Sequence, residues 1–131
     1  MTPLAKKLRL HPKQRMLILN APEGYINDLG ELPEGSEIVG DPKPSTCDYV
    51  HLFVENAEQY AELGSVATAA IKYDGILWVS YPKKSSRVET DLSRDAMWGL
   101  LDDIGWHPVS QVSINSVWSA VRFRPSALVG T

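Results

Sequence analysis

Ile71-Lys72-Tyr73-Asp74-Gly75-Ile76-Leu77-Trp78-Val79-Ser80-Tyr81-Pro82-Lys83-Lys84 constrains this chain more than any other stretch. It reads as the end of a helix, a turn at Asp74-Gly75, an apolar strand from Ile76, a stop at Pro82 and a basic loop. A strand without polar alternation is buried on both faces, as in a parallel sheet covered by helices. In open α/β sheets, ligands sit where loops leave the carboxyl ends of the strands. One stretch therefore predicts a fold class and places a candidate site in the loop that follows it.

The flanking pattern agrees with such a sheet. Met16-Leu17-Ile18-Leu19-Asn20 is a short apolar strand stopped by Ala21-Pro22, and Pro22 suits the first turn of a helix, where its missing amide hydrogen costs nothing. Tyr25, Ile26 and Leu29 give that helix an apolar face, and Gly30 ends it. Glu37-Ile38-Val39-Gly40 is a brief strand that Asp41-Pro42-Lys43-Pro44 cannot continue. Tyr49-Val50-His51-Leu52-Phe53-Val54 is a second strand apolar on both faces apart from His51. Asn56 with Gln59 has the form of a capping box, and Tyr60, Leu63, Ala67, Ala70 and Ile71 recur behind it at helical spacing. Thr90 or Asp91 caps a further helix with the apolar face Leu92, Ala96, Leu100, Leu101 and Ile104, ended by Gly105. Residues 109–112 and 117–123 form an antiparallel hairpin around Asn115-Ser116. Strands alternating with helices predict a three-layer α/β sandwich with a mostly parallel, Rossmann-like sheet and a C-terminal antiparallel hairpin.

At 131 residues, 44% apolar and 22% charged, the chain has the size and composition of one soluble domain spanning residues 1–131. No apolar run reaches the ~20 residues of a membrane span, and the amino terminus lacks a signal-peptide core, so a cytoplasmic location and no membrane contact are expected. The single cysteine, Cys47, excludes an internal disulfide and a multi-cysteine metal site. The net charge of −3 hides an asymmetry. Residues 1–15 carry Lys6, Lys7, Arg9, Lys13 and Arg15 and no acid, whereas residues 16–41 carry six acids and no Lys or Arg. Residues 1–12 read as a flexible basic arm or as a solvated segment that pairs with the acidic stretch. A pI near 5.5 argues against a dedicated nucleic-acid binder.

The succession of helix, strand 71–80, helix ending Asp103-Ile104-Gly105-Trp106 and closing hairpin resembles the C-terminal half of class I S-adenosylmethionine-dependent methyltransferases. The span from Lys13 to Arg124 resembles more closely a family of small bacterial proteins of unknown function related to that fold. The carrying motifs are Leu19-Asn20-Ala21-Pro22-Glu23-Gly24-Tyr25, Leu77-Trp78-Val79-Ser80-Tyr81-Pro82-Lys83-Lys84, Thr90-Asp91-Leu92 and Val117-Trp118-Ser119. The methyltransferase resemblance implies spaced glycines after the first strand, where this chain has Asn20-Ala21-Pro22-Glu23-Gly24-Tyr25, with one glycine, a proline and the bulk of Tyr25. It also implies a ribose-binding acid after the second strand, roughly where Asp41 stands. Glu55-Asn56 lacks the Asn/Asp-Pro-Pro-aromatic signature of amino-methylating members.

Lys83, Lys84, Ser85 and Arg87, ahead of a helix start at Thr90-Asp91, combine cations, a hydroxyl and helix amides into a candidate anion site; a charged surface loop is the plain alternative. Asn20, Glu23, Gly24 and Tyr25 after the first strand, Asp41 after the second, and Glu55 and Asn56 after the third complete the predicted ligand-binding set. No catalytic residue and no metal ligand stands out. His51 reads as a hydrogen-bonded core histidine, and Cys47 has no neighbouring His or Arg in sequence to activate it. The first functional reading is a non-catalytic domain binding a small anionic ligand or a protein partner at the carboxyl edge of the sheet. The alternative is an S-adenosylmethionine-dependent methyltransferase with an altered cofactor loop. Nucleic-acid binding through the basic arm ranks below both, and the hairpin edge leaves a homodimer open.

Overall fold

The computed structural model describes residues 1–41 and 43–129, so Pro42 of the proline-rich stop lies outside the described residues. Six strands form one sheet: β1 (Arg15–Leu19), β2 (Glu37–Ile38), β3 (Cys47–Phe53), β4 (Ile71–Pro82), β5 (Trp106–Ser113) and β6 (Trp118–Pro125). Their order is β2-β1-β3-β4-β6-β5. The first four run parallel, while β6 lies antiparallel to β4 and β5 antiparallel to β6. The predicted α/β sandwich with a closing hairpin is the observed architecture. Among the described residues, no helix is long and apolar enough to cross a membrane.

Period-two alternation sorts the strand residues onto two covered faces. Val50, Leu52, Leu77, Val79, Val121 and Phe123 meet α3 (Ala57–Ala70) and the segment around α4 (Arg94–Trp98) on one face. Tyr49, Phe53, Trp78, Trp118 and Ala120 meet α1 (Pro3–Lys7) and α2 (Tyr25–Leu29) on the other. The runs that lacked polar alternation, β3 and the second half of β4, are buried on both sides.

Residues 2–10 pack against the sheet and α2. Thr2 caps α1 by accepting a hydrogen bond from the Ala5 amide, and Ala5, Leu8 and Leu10 are buried. The Trp78 indole donates to the Leu8 carbonyl at 3.0 Å, and the Thr2 hydroxyl donates to the Leu29 carbonyl at 2.8 Å. The close approach explains Gly30: a Cβ there would meet Thr2 Cγ2 at 2.6 Å.

Four local readings differ from expectation. Helix α3 stops at Ala70, and residues 71–73, read as its end, already belong to β4. Asp74-Gly75 is a bulge in that strand rather than a turn: Ile71 pairs with Cys47, but Ile76 pairs with Tyr49, and Asp74 takes a positive φ of 58°. The helix expected from Thr90 to Ile104 shrinks to α4, capped by Ser93, and a 3₁₀ turn at Asp102–Ile104. Leu92, Met97 and Leu101 face the core, while Ala96 and Ile104 are exposed. Helix α2 starts later than Pro22 suggested, with Gly24 as its cap at a φ of 85°. The outer strand β5 carries Pro108 and a register shift across Val109.

Candidate functional site

Because β1, β3 and β4 run parallel, residues 20, 54 and 83 leave the sheet at one edge. The chain enters β2 on one side of β1 and β3 on the other, so the crevice between β1 and β3 is the switch point of the sheet. Asn20 sits there with a φ of 60°, a conformation its side chain tolerates better than most. Its amide donates to the Phe53 carbonyl at 2.8 Å and to Gln59 Oε1 at 3.2 Å. Gln59 Oε1 also accepts from the Glu55 amide at 2.8 Å, while Asn56 Oδ1 accepts from the Gln59 amide at 2.9 Å. The capping box anticipated from Asn56 and Gln59 thus reaches one residue further back and ties β1 to β3. Polar groups that could have met a ligand in this crevice meet each other.

Tyr25 points away from the edge. It is 2% exposed, and its hydroxyl lies 2.9 Å from His51 Nδ1. His51 Nε2 lies 2.6 Å from Ser80 Oγ, and the imidazole stacks on Phe53 with centroids 4.2 Å apart. A neutral imidazole, with one N–H and one lone pair, satisfies both neighbours. Complete burial holds the His51 pKa down at about 3 and pushes the Tyr25 phenol up. The group is a closed core cluster, so the predicted core histidine is found and Tyr25 drops out of the edge set.

Two open clefts flank the loop that leaves β4. The first, about 670 Å³, is bounded by Asn56, Lys84, Glu89, Thr90, Asp91 and Ser93. The second, about 540 Å³, lies between that loop, α4 and the hairpin, against Tyr81, Lys83, Lys84, Ser85, Arg94 and Gln111, with Asp95 its one acid. Lys83 Nζ donates to Ser113 Oγ at 2.6 Å, and the Lys83 amide donates to the Val117 carbonyl at 2.7 Å. Gln111 Nε2 donates to the Tyr81 hydroxyl at 3.3 Å. Arg94 is held over the Trp98 ring, 5.4 Å from its centroid.

Asp91 does not start a helix of its own. Its Oδ1 accepts the Ala57 amide at 2.9 Å, so it shares the capping of α3 with Asn56, while Thr90 Oγ1 accepts the Leu92 amide locally. The helix start expected at Thr90-Asp91 lies three residues later, where Ser93 caps the one-turn α4 by taking the Ala96 amide. Replacing Asp91 with alanine should lower stability by roughly 1 kcal/mol, the usual worth of a cap. Asp91→Asn keeps the acceptor and should recover most of that loss in urea unfolding. Equal midpoints for wild type and Asp91→Ala would remove the capping role.

Of the predicted set, the structure brings together Asn20, Glu55 and Asn56 at the crevice, and Lys83, Lys84 and Ser85 in the second cleft. Lys84 borders both clefts. Glu23, Gly24 and Asp41 are exposed on the β1–β2 side, and Arg87 is an exposed loop residue outside both clefts. Gln59, Asp91, Arg94 and Gln111 join the site unforeseen in that role. Gln111 and Ser113, alternate residues of β5 and both exposed, were a readable sign that one face of the hairpin met solvent.

No family model matches the chain, and no curated protein matches it. Solved structures do. A S-adenosylmethionine-dependent methyltransferase from Aquifex aeolicus is 14% identical, with 90% of this chain and 85% of that chain covered and a TM-score of 0.59. The 1,6-didemethyltoxoflavin-N1-methyltransferase of Burkholderia thailandensis is 12% identical over 95% of this chain and 77% of that one, with a TM-score of 0.61. A 30S ribosomal A1408 methyltransferase from an uncultured bacterium is 12% identical over 93% and 92%, with a TM-score of 0.53. The likeness is one of fold: this chain is built on the frame of the class I S-adenosylmethionine-dependent methyltransferases.

Proposed function

We propose that this protein uses a methyltransferase-like frame as a binding module for a small anionic ligand, held in the cleft between the β4 exit loop, α4 and the hairpin. The observation that carries the reading is the convergence of Lys83, Lys84 and Arg94 on one cleft with a single acid, Asp95. Ser85, Tyr81 and Gln111 add neutral hydrogen-bonding groups at the same walls. Cations beside neutral donors suit an oxyanion such as a carboxylate or phosphate. No side chain there is paired as nucleophile and base, so binding rather than catalysis is the function assigned. The Asn20–Gln59 bridge supports the same choice, since it occupies the crevice where a cofactor would displace it.

Thermal unfolding at constant ionic strength tests the reading with phosphate, pyrophosphate and citrate. At a hundredfold excess over Kd, a ligand adds about 2.7 kcal/mol, enough to raise Tm by several degrees in a domain of this size. We expect such a rise for at least one of these anions and its loss in Lys84→Ala and Arg94→Ala. No shift with any of the three, or unchanged shifts in both variants, would discard the cleft.

A second reading, cofactor-dependent methyl transfer, draws on one observation: Tyr25 is folded into the core and does not fill the β1 exit, while Asp41 is exposed beyond β2. Titration calorimetry with S-adenosylmethionine decides it. Heat that disappears in Asp41→Ala supports the reading, and none at high micromolar ligand removes it.

A further inference from the structure

We propose that the hairpin face carries a second site, which takes single-stranded nucleic acid along its phosphate backbone. None of its cations lines the anion cleft, and it does not depend on that cleft. The fold lays the amino-terminal segment over the hairpin. Lys7 Nζ reaches the Ser113 carbonyl of β5 at 3.4 Å, and the Leu8 carbonyl accepts the Trp78 indole N–H. Trp78 is the strand partner of Arg122, so Arg9 follows directly where Arg122 emerges. Arg124, two residues on, shares that face. Lys7, Arg9, Arg122 and Arg124 therefore form one track built from opposite ends of the chain.

Three observations set this track apart from an ordinary solvated surface. Among the described residues, Lys7, Arg9 and Arg122 have no ion-pair partner, and the one carboxylate bound there, Asp74, is held by Arg124 through two 2.9 Å bonds. Arg122 Nε is buried without a hydrogen bond; burial first, then the charges of Arg9 and Arg124, hold its guanidinium below the ordinary arginine range. Arg9 also breaks a backbone rule. Its amide donates to the Lys6 carbonyl and that of Leu10 to the Ala5 carbonyl, the two bonds of a Schellman helix end. The residue at that position takes a left-handed φ, here 62°, where glycine is the default. An arginine in a glycine position, close enough to Arg122 for their charges to interact, points to a use for its side chain.

Extent selects the ligand. From Ser119, opposite Ser113, to Arg124 the strand covers about 17 Å at ~3.4 Å per residue, too long for one phosphate and suited to several. Adjacent to Asp74 stands Tyr73, 69% exposed, a free ring of the kind on which unpaired bases stack. The acids of residues 16–41 belong to α2, β2 and the adjoining loops, and β2 is at the opposite edge of the sheet from the hairpin.

Fluorescence anisotropy with labelled dT12 and rU12 tests the proposal on the full chain across a salt series. We expect affinity to fall as salt rises, with a log–log slope of about 0.7 per phosphate contact. Arg9→Gly is the informative variant: it relieves the backbone, so its Tm should match or exceed wild type, while the slope should drop by about 0.7. Tyr73→Ala should weaken binding several-fold with the slope unchanged. Equal binding of dT12 and rU12 assigns recognition to backbone and stacking, and a preference for rU12 adds the ribose hydroxyl. The proposal is overturned if neither oligonucleotide binds at low salt, if Arg9→Gly binds like wild type, or if Lys84→Ala abolishes binding. Polyphosphate binding as tight as dT12, with Tyr73→Ala inert, would equally overturn the nucleic-acid assignment.

Discussion

Between pH 6.5 and pH 4.5 the protein should lose roughly 2 kcal/mol of stability, and His51 is the cause. The folded imidazole has a pKa of about 3, against ~6.5 for the unfolded chain. A folded value below the unfolded one means that the unfolded chain takes up the proton first. The stabilisation is complete above pH 6.5, drains away as pH falls, and is exhausted near pH 3. Over that whole window it amounts to about 5 kcal/mol at 1.36 kcal/mol per pH unit. The upper part of the window lies above the range in which carboxylates titrate, which makes it diagnostic. His51→Leu should be less stable at neutral pH, because buried Tyr25 and Ser80 hydroxyls lose their partner, yet its stability should stay flat from pH 6.5 to 4.5. Urea unfolding at five pH values distinguishes the two proteins, and a wild-type curve as flat as that of His51→Leu would refute the assignment.

Removing residues 1–10 should cost about 5 kcal/mol or more and leave little folded protein. Leu8 and Leu10 are 0% and 2% exposed, and burying each side chain contributes about 1.5–3 kcal/mol. The indole bond to the Leu8 carbonyl adds about 1 kcal/mol. Deletion also uncovers Met16, Leu29 and Trp78, which pack in the same cluster. Against a total stability of about 5–15 kcal/mol for domains of this kind, such a loss reaches the unfolding threshold. Circular dichroism of the truncated chain checks it directly: a native spectrum with an unchanged urea midpoint would return these residues to the status of an appendage.

The parts legible from sequence were those decided by local pattern. The apolar runs of β3 and β4 announced burial on both faces, and Asn56 with Gln59 announced a helix start. What stayed hidden was decided by distant partners. Asp74-Gly75 is a turn signal, and only the pairing of Ile71 with Cys47 makes it a bulge. Leu92, Leu100 and Leu101 keep helical spacing, but the chain reaches the core at those points through short turns around Gly99. Tyr25 looked like an edge residue because its helix is too short for periodicity to fix which way it turns, and His51 lies 26 residues further along. Arg9 carried a basic charge in the sequence, but nothing local joined it to Arg122. The cleft residues Lys83, Lys84 and Ser85 were visible as a basic loop, whereas Arg94 and Gln111 arrive from other elements.

Pro108 and the skipped residue Val109 have a bearing on how this molecule meets copies of itself. An incoming strand needs an unbroken row of amide donors and a straight partner. The outermost strand offers a proline with no hydrogen to give, followed at once by a kink that twists its rim out of line. Zipping two hairpins together would waste bonds at the centre of the seam, so this rim is built to end the sheet. The rim is guarded by backbone shape rather than by charge.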